Sequence, residues 1–124
     1  MTLSHDQLMR VLSIARDHSG LRGGRGLSLC DLILECDYQN LRPQIEAGQL
    51  AVLINAQPAI VDDWRAYCED KRTNSGWAFA PSREGKWIIY GPGGIRHSFA
   101  CRFAACADYV IRELDFWTAL SDTT

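Results

Sequence analysis

The last third of the chain decides the fold, because it contains the clearest strands and the longest amphipathic helix. Two short β-type runs, Gly-Trp-Ala-Phe-Ala at residues 76–80 and Lys-Trp-Ile-Ile-Tyr at residues 86–90, flank Ser-Arg-Glu-Gly at residues 82–85. Gly85 supplies the positive φ that this turn requires, so the sequence predicts a β-hairpin. A glycine-rich link at residues 91–94 leads to a third short strand near residues 95–99.

The sequence then predicts one long helix, from Arg102 to about Leu120. At about 100° per residue, six of its apolar side chains share one narrow stripe. They are Phe103, Cys106, Ala107, Val110, Leu114 and Trp117. This stripe faces the core, and Arg112 and Asp115 lie away from it.

The first half of the chain predicts further helices. Ser4 and Gln7 form a capping box for a helix over about residues 5–18, and Ser28 is the N-cap of a second helix within residues 27–36. A short third helix at residues 40–47 ends at Gly48. Residues 49–54 fit a strand or a buried helix. Pro58 precedes a helix over about residues 59–72.

Together these elements predict an α+β fold and a single domain over residues 1–124. A small antiparallel sheet of about three strands packs against the C-terminal helix, and the N-terminal helices complete the core. No apolar run reaches the roughly 18 residues of a membrane span. The N-terminus lacks the basic and apolar regions of a signal peptide, so we expect a cytoplasmic protein.

The cysteines and the glycine-rich loop give no sign of a metal or phosphate site. The five cysteines form no C-x-x-C pair and no histidine pair completes a zinc set, so free thiols and no metal or cofactor are expected. Residues 20–26 hold two arginines among four glycines. This loop matches neither a P-loop nor a dinucleotide fingerprint. A flexible connector is favoured over a nucleic-acid contact, and the net charge of −2 agrees with that preference.

Charge is unevenly distributed along the chain. Residues 28–70 carry eight acidic and two basic residues, whereas the segments on either side are each net positive by two. On the helix over residues 59–72, acidic side chains occupy about a third of the circumference. A solvated polar face explains this pattern most simply, and an acidic patch that steers a basic protein partner is the alternative.

Several motifs in the C-terminal half resemble those of small bacterial immunity proteins. They comprise the run Trp-Arg-Ala-Tyr-Cys-Glu-Asp-Lys-Arg-Thr at residues 64–73, Gly-Trp-Ala-Phe at residues 76–79, Phe99, and the alanine-rich run at residues 105–114. Immunity proteins are encoded beside toxins of contact-dependent growth inhibition and other polymorphic toxin systems. The resemblance implies a cytoplasmic protein without catalytic residues that binds and blocks a toxin's C-terminal domain, often a nuclease.

The charge pattern, rather than the resemblance, predicts which residues contact the partner. Nuclease domains are basic where they bind phosphate, so carboxylates suit them. The first choice is the acidic set of the helix over residues 59–72: Asp62, Asp63, Glu69 and Asp70. The second choice is an arginine with two aromatic side chains on the last helix: Tyr109, Arg112 and Phe116. No nucleic acid or membrane is expected as a partner.

Three other functions stay open at this stage. A small enzyme would use His97 as a base with Glu84, Asp108 or the thiol of Cys101 or Cys106, although no spacing supports such a set. A ligand-sensing or transcriptional module would use the arginines of the loop at residues 20–26, but no basic recognition helix follows. A structural subunit would expose Tyr109 and Phe116 of the last helix, although coverage of both by the N-terminal helices is favoured.

Overall fold

A computed structural model of the chain describes residues 3–19, 26–70 and 76–122. These residues form seven α-helices and one three-stranded sheet, which is the predicted α+β class. The helices are α1 (His5–Leu12), α2 (Ile14–Ser19), α3 (Leu29–Glu35), α4 (Tyr38–Leu41), α5 (Ala47–Ala56), α6 (Ala59–Asp70) and α7 (Arg102–Asp122). The strands are β1 (Ala78–Pro81), β2 (Trp87–Tyr90) and β3 (Arg96–Phe99).

The sheet is antiparallel in the order β1-β2-β3. Phe79 of β1 lies opposite Ile89 of β2, which lies opposite His97 of β3. Phe79 and Ile89 are fully buried beneath α7, which packs across all three strands. The turn at Gly85 has φ +80°, so the predicted hairpin and its turn are confirmed.

Helix α7 is the centre of the fold. It packs against the sheet and also against α3, α5 and α6. The predicted stripe is confirmed, with Cys106, Val110 and Leu114 fully buried. Because other elements cover α7 on several sides, its buried surface extends beyond this stripe, almost all the way round residues 105–114.

The N-terminal capping box is present, but the first helix is not continuous. The Ser4 N–H donates to Gln7 Oε1 at 2.8 Å, and the Gln7 N–H donates to Ser4 Oγ at 3.2 Å. The prediction of one helix over residues 5–18 is wrong, since a turn at Ser13 separates α1 from α2. Helix α2 packs against α6 and buries Ile14.

In the middle of the chain, one predicted helix is confirmed and one predicted helix end is wrong. Ser28 caps α3 as expected, accepting from the Asp31 N–H at 3.1 Å. The predicted stop at Gly48 is wrong, because α5 begins at Ala47 and runs through that glycine. The Glu46 N–H donates to the Gln49 side chain at 2.9 Å and starts the helix there. Residues 49–54 are therefore helical.

A polar contact fastens the segment before α5 to α7. Asp115 accepts hydrogen bonds from the Tyr38 hydroxyl at 2.7 Å and from Arg42 Nε at 2.8 Å. Burial, together with the Asp115 carboxylate, raises the pKa of Tyr38. The hydrogen bond to Asp115 also raises the pKa of Arg42, which keeps this guanidinium protonated. The contact holds α4 and the 3-10 turn Arg42–Gln44 on the last helix.

One hydrophobic cluster includes buried side chains from all seven helices and from β1 and β2. Phe99 of β3 packs against it from the edge. No helix within the described ranges combines the length and apolar character needed to cross a membrane. Of the predicted connector at residues 20–26, only Gly26 is described, and its φ is +67°.

Candidate functional site

Buried side chains on the core-facing side of α6 hold this helix in a fixed orientation. Trp64 is fully buried, and its indole Nε1 donates to the Leu12 carbonyl at 3.0 Å. Ile60 and Tyr67 are buried on the same side. The opposite side of the helix therefore faces solvent, as the sequence predicts.

The four predicted carboxylates of α6 do not share one environment. Asp62 and Glu69 are exposed, and seven residues of helix place them about 10 Å apart along one side. Asp63 is half-buried and already has an interaction within the protein. Asp70 is the last residue of α6, and its side chain lies outside the described part of the structure. Asp62 and Glu69 are thus the two described carboxylates most open to a partner.

Arg65 neutralises only part of the negative charge on the solvent-facing side of α6. Its Nη1 donates to the Phe79 carbonyl of β1 at 2.6 Å, and its Nη2 lies 3.2 Å from Glu69 Oε1. The Glu69 side chain is 71% exposed, so this ion pair is screened by water and leaves one carboxylate oxygen for another donor. We call the surface formed by Asp62, Asp63 and Glu69 the acidic face.

The second predicted group is corrected by the structure. Tyr109 is fully buried, with its ring centroid 4.7 Å from Phe79 and 6.0 Å from Trp64. It belongs to the core and is unavailable to a partner, because the sheet and α6 cover that side of α7. Arg112 and Phe116 are half-buried and reach the surface.

The structure gives Arg112 a different aromatic neighbour. Its guanidinium lies 5.0 Å from the ring centroid of Trp77 and is held by Asp108 Oδ2 at 2.6 Å. The Trp77 ring stacks on His97 of β3, with centroids 6.5 Å apart. We call this group of Trp77, His97, Asp108 and Arg112 the arginine–tryptophan cluster. The contact joins residues 35 positions apart, so no local sequence pattern announces it.

The position of the Trp77 ring depends on Gly91. A Cβ at residue 91 would overlap three carbons of the Trp77 ring. The φ of Gly91 is −125°, which any residue can adopt, so the requirement is for space and not for backbone freedom. Glycine at this position lets the indole pack against the backbone just after β2.

Glu113 holds the backbone of Trp77 in place through a hydrogen bond. This carboxylate is fully buried and accepts from the Trp77 backbone N–H and the Tyr67 hydroxyl, each at 2.7 Å, and from Trp117 Nε1 at 3.1 Å. Burial and the nearby Glu113 carboxylate raise the pKa of Tyr67, which keeps this hydroxyl a donor. Glu113 thereby joins α6, α7 and the start of the hairpin.

Among the residues that the structure describes, those proposed for catalysis with His97 are engaged elsewhere, buried or not bonded to it. Its ring contacts Trp77, and within the described ranges it makes no hydrogen bond to a carboxylate or thiol. Asp108 is engaged by Arg112. Burial raises the pKa of Cys106, which keeps this thiol protonated, and Cys101 is exposed. Within the described residues, no three potential metal-binding side chains cluster.

Two surface clefts differ in size and lining. One of about 160 Å³ lies between α3, α4 and α7 and includes Tyr38 and Thr118 in its wall. It is smaller than the roughly 300–1,000 Å³ of typical ligand pockets. A wider cleft of about 440 Å³ between α1, α2 and α3 is lined largely by charged side chains, among them Arg10 and Glu35. The charged lining of this wider cleft differs from the apolar walls and few convergent polar groups typical of a ligand site.

Comparison of the chain with protein-family models, curated proteins and solved structures found no match. The fold class therefore comes from the structure itself. The resemblance to immunity proteins stays a prediction from sequence motifs.

Proposed function

We propose that this protein is an immunity protein: it binds the C-terminal domain of a cognate bacterial toxin in the cytoplasm and blocks it stoichiometrically, without a cofactor. The observation that carries this proposal is the acidic face of α6. Asp62 and Glu69 are exposed, whereas the inner side of the same helix is buried in the core. Exposed carboxylates of this kind contribute little to the stability of the fold. Binding a basic partner would give them a function that folding does not.

The charges of the acidic face would act mainly on the rate and specificity of association. Clustered carboxylates attract a basic surface over about a Debye length, which is roughly 10 Å at 0.1 M salt. A toxin that cleaves nucleic acid presents lysine and arginine where it contacts phosphates. An acidic helix laid on that surface would exclude the substrate, so no catalytic residue is needed for inhibition.

The arginine–tryptophan cluster is the proposed source of tighter contacts. Tryptophan and arginine are enriched among the side chains that contribute most to binding energy. Trp77 is held by Gly91 and Glu113 before any partner arrives, so little side-chain entropy is lost on binding. Phe116 lies one helical turn beyond Arg112 and extends this surface along α7.

The test pairs two double variants that remove the same charge. Asp62→Asn with Glu69→Gln neutralises the acidic face, whereas Asp37→Asn with Glu84→Gln neutralises two exposed carboxylates elsewhere. Growth is measured in cells that express the toxin domain encoded beside this chain, and association rates are measured at 0.02 M and 0.5 M salt. We expect the first variant to associate about ten-fold more slowly at low salt, with the difference shrinking at high salt.

Two results would contradict the proposal. If the wild-type chain fails to protect cells from the toxin encoded beside it, the proposed immunity function is wrong. Protection with equal association rates for both double variants would remove the acidic face from the mechanism. Far-UV circular dichroism of each variant checks that the fold is retained.

A further inference from the structure

The two outer edges of the sheet differ in how their backbone groups are covered. Hydrogen-bonded and non-hydrogen-bonded residue pairs alternate along an antiparallel ladder. The Ser82 N–H donates to the Lys86 carbonyl at 2.7 Å, which fixes this alternation for β1 and β2. Phe79 and Pro81 therefore direct their backbone groups away from β2, towards the outer edge of β1.

The outer edge of β1 is closed. The Phe79 carbonyl accepts from Arg65 Nη1 at 2.6 Å, and Pro81 has no N–H to offer. One residue before the strand, the Trp77 N–H donates to Glu113 at 2.7 Å. Side chains of α6 and α7 thus occupy the edge, which is how proteins commonly prevent the addition of another strand.

The outer edge of β3 is open. The Gly91 N–H donates to the Ile95 carbonyl at 2.8 Å, so His97 and Phe99 direct their backbone groups to β2. Arg96 and Ser98 direct theirs outward, and both residues are exposed. Across the described ranges, no group hydrogen-bonds to the N–H or C=O of either residue. This edge offers two donors and two acceptors to an added strand.

The charge around this edge indicates what kind of strand would fit. The two charged side chains within residues 91–102, Arg96 and Arg102, are both basic. Arg96 is itself on β3, with its guanidinium 5.2 Å from the Tyr90 ring centroid, and Arg102 begins α7 directly after the strand. Pairing β3 with β3 of a second copy would bring two basic edges together, which opposes self-association.

We propose that the outer edge of β3 binds an extended acidic segment of a partner protein, which joins the sheet as a fourth strand. Side chains of an added strand alternate between faces. Those beside Arg96 and Ser98 lie on the outer face, where a carboxylate pairs with the guanidinium. Those beside His97 and Phe99 lie on the helix-covered face and are apolar. The recognised segment therefore alternates acidic and apolar residues.

This inference does not depend on the proposed immunity function. The acidic face lies on α6, which packs against β1, and β2 separates that strand from β3. The β3 edge also carries the opposite charge. A partner that uses both surfaces would contact the protein through a basic domain and an acidic strand, but either contact can be tested alone.

The probe is a capped eight-residue peptide in which glutamate alternates with valine, and the control peptide has lysine in place of glutamate. Each is titrated to millimolar concentration into the ¹⁵N-labelled chain. We expect the amide resonances of Arg96 and Ser98 to shift with the glutamate peptide, which binds about five-fold more tightly than the lysine peptide. Arg96→Glu should reverse this preference, whereas Arg83→Glu in the hairpin turn should leave it unchanged.

Three outcomes would overturn the inference. The first is the absence of shifts at β3, or shifts located on α6 instead. The second is equal binding of the two peptides, or an unaltered preference in the Arg96→Glu variant. The third is a concentration-dependent shift of the Arg96 and Ser98 amides without peptide, which would make a second copy of the chain the occupant of the edge.

Discussion

Replacing Glu113 tests whether one buried carboxylate holds the hairpin to the helices. Oε2 accepts from Tyr67 and Trp117, and Oε1 accepts from the Trp77 backbone. In Glu113→Gln, an amide carbonyl at the Oε2 position leaves the Trp77 N–H facing an NH₂ group. In the reverse orientation the amide NH₂ group faces the Tyr67 hydroxyl and the Trp117 N–H, so the Trp117 N–H loses its acceptor on residue 113.

Each glutamine orientation thus removes the residue-113 acceptor from one part-buried N–H, which costs about 1–3 kcal/mol. Glu113→Ala removes all three of these hydrogen bonds and opens a cavity, so its cost is expected to reach about 3–5 kcal/mol. Glu69→Gln is the matched control, because that carboxylate is largely exposed and its loss should cost within about 0.5 kcal/mol.

The assay is urea unfolding followed by tryptophan fluorescence, with the free energy of unfolding extrapolated to water. The expected order of stability is wild type and Glu69→Gln together, then Glu113→Gln, then Glu113→Ala. A Glu113→Gln variant as stable as the control would refute the argument that the carboxylate satisfies three donors at once.

Three further predictions concern packing, thiols and alkaline pH. Gly91→Ala should displace the Trp77 ring and lower the free energy of unfolding by about 1–3 kcal/mol. Gly48 has open space around it, so Gly48→Ala should raise the free energy of unfolding by up to about 1 kcal/mol. Urea unfolding measures both changes. Burial raises the pKa of the Cys36 thiol to about 11, so iodoacetamide at pH 8 should modify the exposed thiols first, which mass spectrometry detects. The exposed thiols are Cys30 and Cys101. Three buried tyrosines have raised pKa values, so above about pH 10 the folded chain keeps protons that the unfolded chain releases. The free energy of unfolding should therefore fall as pH rises past that value, by up to about 1.4 kcal/mol per tyrosine per pH unit. They are Tyr38, Tyr67 and Tyr109.

The sequence predicts the local structure well where capping and turn residues act at short range. Ser4 with Gln7, Ser28 and Gly85 each have the predicted role, because their partners lie within four residues. Gly48 shows the limit of such signals. Glycine is typical of a helix end, but the bond between Glu46 and Gln49 starts a helix at the same place.

The candidate site is less predictable because it depends on how many sides of α7 are covered. A single stripe assumes packing on one face, which puts Tyr109 outside; packing on several sides buries it. Glu113 could have been found from the same helical wheel. The residues three and four positions before it and four positions after it are Val110, Tyr109 and Trp117, so a carboxylate there is surrounded by apolar and aromatic side chains.

The buried and exposed carboxylates of this protein have separate roles, and the sheet edges explain why. Glu113 and Arg65 both act at β1, where they close the edge and join it to α6 and α7. Arg65 also pairs with Glu69, so the helix that closes this edge is the one that carries the acidic face. Two strands away, the edge of β3 is open and basic. The same packing that positions α6 thus leaves the protein with an acidic surface near one edge of the sheet and an unpaired strand at the other.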